Sequence, residues 1–293
     1  EAEGQYELGR AYNLGNGVKK DLTQALKYYR ISAEQNYALS LNNLGFMYQK
    51  GIGVKKDYKK AFDYYKKAAD QKLGIGLNNL GYMYDNGFGV KKNLEEAFRY
   101  YSLSAEQNNH LAQYNIGYFY EKGKFVKQDF NKAFKFYSIA SENGVLLANN
   151  NLGLLHQNGI GVPKNHKKAF DLFKLAADKN LDVSQNNLGY MYENGLGVER
   201  DYNEARKYYK LAADQGYGLG QYNLGYMYEN GLGGEKDYKN ALNYYELAAG
   251  QGENIALTNL AYLYQNGLGV KKNYKKSLYY YQLASKNGDD YSQ

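Results

Sequence analysis

Cysteine and tryptophan are missing from this 293-residue chain, proline occurs once, at Pro163, and histidine three times. Without cysteine there is no disulfide framework, no thiolate metal site and no thiol nucleophile. His110, His156 and His166 are too irregularly placed to make an HExxH motif or a facing ligand pair. No serine sits in a G-x-S-x-G turn with suitable partners, and the glycine-rich turns lack the strand and GK[ST] of a phosphate cradle. No apolar run approaches the roughly 20 residues that cross a bilayer, and no secretory signal is visible. The expectation is a chain that is no enzyme, with no catalytic residue, cofactor, metal or membrane span.

What is present is repetition. The stretch "NNLGYMYENGLGV" at 186–198 returns as "NNLGYMYDNGFGV" at 78–90 and "YNLGYMYENGLGG" at 222–234. The glycine of the "LG" step falls at Gly9, Gly45, Gly81, Gly117, Gly153, Gly189 and Gly225, with Ala261 next, always 36 residues apart. Eight units without insertion or deletion fill nearly the whole chain, and such a period signals a repeat architecture.

Each unit reads as two short helices. At about 100° per residue, Gly76, Leu80, Gly81, Met83 and Tyr84 share one side of the first helix, A. Asn78, Asn79, Tyr82, Asp85 and Asn86 share the other. A turn such as "NGFGV" ends helix A, where glycine accepts a positive φ. An Asp or Asn then recurs as N-cap of the second helix, B, at Asp21, Asp57, Asn93, Asp129, Asn165, Asp201, Asp237 and Asn273. Helix B of unit two sets Tyr58, Ala61, Phe62, Tyr65, Ala68 and Ala69 against a charged side. In that unit A is expected over 38–50 and B over 57–70. One pair buries too little apolar surface to stand alone, so neighbours must stack. The fold class is all-α: an α/α solenoid of eight 36-residue helix-turn-helix repeats in a single body over 1–293. Residue 1 falls just before a helix A and "DDYSQ" at 289–293 begins what would be a ninth, so a longer protein is expected.

The pattern resembles the Sel-one-like repeat (SLR), a relative of the tetratricopeptide repeat. Unit six carries it as Asn187, Leu188, Gly189, Tyr192, Gly195, Gly197, Val198, Asp201, Ala205, Tyr208, Tyr209, Ala212 and Ala213. The resemblance implies a right-handed superhelix with helices A on the concave side, and a role as adaptor or scaffold without catalysis. Some SLR proteins of oxidising compartments carry a disulfide in each repeat; its absence here points to a cytoplasmic setting. Four positions depart from the pattern: Phe125 for the second turn glycine, His156 for a tyrosine, Gly234 for the turn valine and Ala261 for the helix A glycine.

The net charge of +7 owes much to lysines in the turn before helix B, such as Lys55, Lys56, Lys91 and Lys92. Helical repeats that read RNA vary their side chains from unit to unit; these columns barely vary, so no specific nucleic acid is expected. The polar side of helix A holds the candidate site. Tyr82, Tyr118, Tyr190, Tyr226 and Tyr262 form an aromatic stripe that packing does not call for, bordered by Asn79, Asn115, Asn187 and Asn223. Aromatic anchors beside amides suit a protein or peptide partner lying as an extended segment. The asparagines have a competing reading, as amides that bridge adjacent repeats. Two alternatives to a scaffold stand: a regulatory or targeting array of a larger enzyme, kinase-linked or host-interacting, and a glycan-binding module.

Overall fold

The structure, a computed structural model, describes residues 1–288 of the chain. The expected start of a ninth helix A, at 289–293, lies outside them. The chain divides into two compact units, Glu1–Val145 and Leu146–Gln293. The first contains α1 (Ala2–Leu14), α2 (Leu22–Glu34), α3 (Ala38–Lys50), α4 (Tyr58–Asp70), α5 (Gly74–Asn86), α6 (Leu94–Ala105), α7 (His110–Lys122) and α8 (Phe130–Glu142). The second contains α9 (Leu146–Asn158), α10 (His166–Ala177), α11 (Asp182–Asn194), α12 (Tyr202–Asp214), α13 (Gly218–Asn230), α14 (Tyr238–Gly250), α15 (Asn254–Asn266) and α16 (Tyr274–Lys286). Sixteen helices thus make eight A–B pairs, and the described residues contain no strand. The expected bounds of 38–50 and 57–70 match α3 and α4, with Asp57 as the cap.

The caps explain why every helix B starts where it does. All eight Asp or Asn side chains accept a hydrogen bond from a backbone N–H of the following turn, as Asp201 does from Asn203 at 2.8 Å and Glu204 at 3.1 Å. That contact satisfies donors the helix itself cannot.

Within a repeat, A meets B through one recurrent contact. The helix A glycine lies under an aromatic ring of helix B: Gly45 under Tyr65, Gly81 under Tyr101, Gly189 under Tyr209, Gly225 under Tyr245. A Cβ on any of these glycines would fall 2.7–2.9 Å from the ring carbons, so only glycine admits the approach. Tyr65, Tyr101, Tyr209 and Tyr245 are at most 1 % exposed and rank among the largest buried side chains. Three of these hydroxyls reach back to helix A: Tyr65 donates to Gln49 at 2.7 Å, Tyr209 to Glu193 and Tyr245 to Glu229 at 2.6 Å. Leucine and methionine fill the gap between repeats, with Leu188 and Met191 wholly buried among Ala169, Phe173 and Tyr208.

The expected split of helix A into a buried and a polar side needs correction. Asn78, assigned to the polar side, is buried at 6 % exposure, as are Asn42, Asn150 and Asn186. A repeat inside a stack is covered by two neighbours as well as by its own helix B, so helix A hides more than a single stripe.

The departures from the pattern have local consequences. Phe125 keeps the positive φ of the glycine it replaces, at 60°, a conformation that costs a bulky residue about 1–3 kcal/mol. A Cβ on Gly89, Gly197 or Gly233 would strike the carbonyl oxygen opening the preceding helix B. In repeat four that seat cannot close, and a pocket of about 660 Å³ lies beside Phe125, lined by Tyr84, Leu94 and Lys92. Gly234 leaves room for Arg206, whose Nη1 donates to the Gly233 carbonyl at 3.1 Å and whose guanidinium sits 4.0 Å above Tyr228. Ala261 brings a Cβ to the usual glycine seat, and there the ring that follows, Tyr281, is only half-buried. His156 is buried where other repeats stack tyrosine on a helix B ring, as Tyr192 does on Tyr208 at 5.7 Å.

Candidate functional site

On helix A, residues three or four apart share a face. In α5, α7, α11, α13 and α15 that face carries, in order along the helix, an aliphatic residue, an asparagine, a tyrosine and a polar or acidic residue, whereas α1, α3 and α9 place Arg10, Phe46 and Leu154 at the tyrosine position. In α11 these are Val183, Asn187, Tyr190 and Glu193; in α13 they are Leu219, Asn223, Tyr226 and Glu229. The 36-residue period turns each position into a track across the repeats of one unit.

The tyrosine track is exposed. Tyr82, Tyr190, Tyr226 and Tyr262 retain 39, 42, 39 and 47 % of their surface, and Phe46 in the same column retains 45 %. Tyr118 is half-buried for a specific reason: Lys124 Nζ lies 4.8 Å from its ring centroid and Lys122 Nζ 5.7 Å. Backbone order supports the track, because Asn86, Asn194, Asn230 and Asn266 each donate to the carbonyl of the tyrosine one turn back at 2.9–3.0 Å.

The asparagine track is engaged inside the protein. Asn79 donates to Asn42 at 2.9 Å and Asn115 to Asn78 at 3.0 Å in the first unit. Asn187 donates to Asn150 and Asn223 to Asn186, both at 2.8 Å, in the second. Each bond joins helix A of one repeat to helix A of the repeat before it. Where Tyr222 interrupts the series, Asn259 turns to the Tyr245 hydroxyl at 2.9 Å and Glu229 at 3.3 Å. The side chains are half-buried and still reach the surface. Within each unit the structure therefore groups the predicted tyrosines and asparagines on one face of the A helices, with the amides tying adjacent repeats together.

Two tracks were not picked out from the sequence. The aliphatic one contains Ile75, Leu111 and Leu147, all more than 40 % exposed. The acidic one contains Asp85, Glu121, Glu193 and Glu229, each three residues after a column tyrosine. That spacing was the available signal. Glu193 and Glu229 are half-buried and each spends one oxygen on a buried tyrosine. Burial, and then the neighbouring carboxylate, push the Tyr209 and Tyr245 hydroxyls far above the ordinary phenol range. These phenols stay protonated and act as fixed donors, not as acid–base groups.

Among the described residues no group of three or more His, Asp or Glu side chains converges as a metal site would require. No helix among them is long and apolar enough to cross a membrane. The turn lysines Lys55, Lys56, Lys91 and Lys92 are exposed, away from the helix A face.

Antiparallel helix pairs recurring every 36 residues, clasped by a glycine–tyrosine contact, define a helical-repeat protein of tetratricopeptide-like construction. The Sel1 repeat profile matches residues 2–37, 38–73, 75–109, 110–145, 146–181, 182–217, 218–253 and 254–289, and the chain belongs to the Sel1 repeat family. It is similar to c5321, a protective antigen present in uropathogenic Escherichia coli strains and displaying an SLR fold. Identity is 37 % with a TM-score of 0.73, over 100 % of this chain and 63 % of that one. The chain thus spans less than two thirds of that relative. A Sel1 repeat protein from Oxalobacter formigenes is 34 % identical over 83 % of this chain and 96 % of its own, with a TM-score of 0.73. Yeast Tom70, at 14 % identity and a TM-score of 0.51 over 100 % of this chain and 61 % of its own, shares the fold alone. No curated protein matches the sequence. Sel1 repeat solenoids are typically non-catalytic, and the fold is commonly a protein-interaction scaffold.

Proposed function

We propose that this chain is a protein-interaction scaffold that holds an extended partner segment across the exposed face of its A helices. The observation that carries the reading is the run Tyr190, Tyr226 and Tyr262, three rings left 39–47 % exposed at the same position of successive repeats. Folding does not need them there, because Leu188, Met191 and Tyr209 already fill the space behind. Tyrosine offers large contact area with few rotatable bonds, and it is enriched in interface hot spots. A surface that repeats along its length suits an extended chain making the same modest contact several times. Asn187 and Asn223, expected at the border of the site, serve it by holding adjacent A helices in register.

The test is selection of the full chain against a displayed library of random peptides about twelve residues long, followed by affinity measurement on enriched sequences. Tyr190→Ala with Tyr226→Ala and Tyr262→Ala should abolish binding, while one change alone should cost about 1–2 kcal/mol. Binding kept by the triple variant, but lost when Lys55, Lys56, Lys91 and Lys92 are neutralised, would put the interaction on the lysine edge and overturn the reading. Retention of oligosaccharides on a glycan array by the wild type, lost in the triple variant, would favour the glycan-binding alternative.

A further inference from the structure

Repeat four shows what chemistry this face accepts. Its turn is rebuilt, with Phe125 in the glycine seat and Lys124 where repeats three, six, seven and eight carry Phe88, Leu196, Leu232 and Leu268. Lys124 therefore lies on the helix A face. Its Nζ pairs with Asp85 of repeat three at 3.1 Å and sits 4.8 Å from the ring centroid of Tyr118 in repeat four. One ammonium thus bridges the acidic position of one repeat and the tyrosine of the next. The pair is largely shielded, with 28 and 13 % side-chain exposure, so it is a seated contact and not a loose surface pairing.

The second unit repeats both halves of that seat and leaves out the lysine. Glu193 and Tyr226 stand at the positions of Asp85 and Tyr118, and Glu229 and Tyr262 do so one repeat later. The residues matching Lys124 are Leu232 and Leu268, whose side chains pack into the apolar clusters between repeats. Among the described residues no Lys or Arg pairs with Glu193 or Glu229, and none lies over Tyr226 or Tyr262. Glu193 gives Oε2 to Tyr209, which fixes the carboxylate and leaves Oε1 for a partner. A carboxylate beside the face of an exposed tyrosine attracts a cation by charge and by the ring quadrupole together.

We propose that the second unit carries two seats for a lysine or arginine side chain, Glu193–Tyr226 and Glu229–Tyr262. The segment it binds then bears basic residues at a matching interval. This rests on the scaffold reading and specifies the partner. Adjacent A helices stand about 10 Å apart, and an extended chain covers about 3.3–3.6 Å per residue, so the basic residues should be about three apart. The charge balance of the chain fits. The second unit has 16 basic and 15 acidic residues, whereas the first has 21 and 15. The positive excess that would repel a basic segment lies in the other unit.

Two probes test this on the full chain: a fluorescein-labelled Ser-rich peptide of about ten residues with Arg at every third position, and the same peptide with Gln in place of Arg. In low-salt anisotropy titrations the Arg peptide should bind at least tenfold more tightly. Glu193→Gln with Glu229→Gln should erase that preference and leave binding of the Gln peptide unchanged. Glutamine is tolerated at this position, since Gln49 already accepts the Tyr65 hydroxyl in repeat two. Equal affinity for the two peptides, or an Arg preference that survives the double Gln variant, overturns the proposal. The random-peptide selection separates this outcome from failure of the scaffold reading. Enriched sequences without Lys or Arg that still need Tyr190, Tyr226 and Tyr262 sink the basic-segment proposal alone. Enriched sequences indifferent to those tyrosines, or no enrichment, sink both.

Discussion

The ring of Tyr209 lies so close over Gly189 that a Cβ on the glycine would stand 2.7 Å from ring carbon Cδ1. The chain keeps glycine mid-helix, where it ordinarily costs about 0.5–1 kcal/mol relative to alanine, because the ring needs the space. Gly189→Ala should therefore destabilise by about 1–3 kcal/mol, the range for overpacking a filled site. Gly4→Ala, in a helix with nothing within 4 Å of the new methyl, should instead stabilise by up to about 1 kcal/mol. Urea melts of the two variants should move in opposite directions; a shift of the same sign would show that the glycine column is not a packing device.

Leu188 and Tyr190, two residues apart in sequence, lie on opposite faces of α11, one wholly buried and the other 42 % exposed. Leu188→Ala should cost about 2–5 kcal/mol and Tyr190→Ala under about 1 kcal/mol. Similar losses in thermal or denaturant melts would mean that the tyrosine track is structural.

The asparagine ladder makes a different claim. Asn223→Ala removes the donor and leaves the buried Asn186 oxygen without it, at an expected cost of about 1–3 kcal/mol. A variant as stable as wild type would return the column to partner contact.

Phe125→Gly should raise the midpoint of unfolding or leave it unchanged, because it relieves a positive φ at a residue 54 % exposed. A loss above about 1 kcal/mol would show that the Phe98–Phe125 contact, with centroids 6.0 Å apart, outweighs that strain.

Burial holds the His156 imidazole below its ordinary range in the folded state. The unfolded chain then takes up the proton first as pH falls, so stability declines below the unfolded value of about 6.5. His156→Tyr, the residue of all seven other repeats at this position, removes that contribution. Between pH 7.5 and 5.5 the wild type should lose more urea resistance than the variant; parallel curves would rule out the histidine as the cause.

Most of the fold was legible because the signals are local. The period, the Asp or Asn caps and the αL turn glycines each act within a few residues, and they located helices such as α3 and α4 to within a residue. The tyrosine track was legible for a related reason: Tyr190 sits on the wheel opposite Leu188 and Met191, and helical geometry alone puts it outside.

The sequence by itself determined the repeat unit, its helices, its caps and an exposed place for Tyr82, Tyr190, Tyr226 and Tyr262, while Tyr118, expected with them, is half-buried beside Lys122 and Lys124. Only the tertiary structure decided the rest, namely that Asn78 and Asn186 are buried and that Asn115 and Asn223 bond to them. It also decided that Lys124 bridges Asp85 and Tyr118 while Glu193 and Tyr226 have no such lysine or arginine among the described residues. A helical wheel describes one helix against one neighbour. Whether an amide or carboxylate is covered, paired or left open depends on side chains about 37 residues away, which the stacking of the next repeat brings within bonding distance.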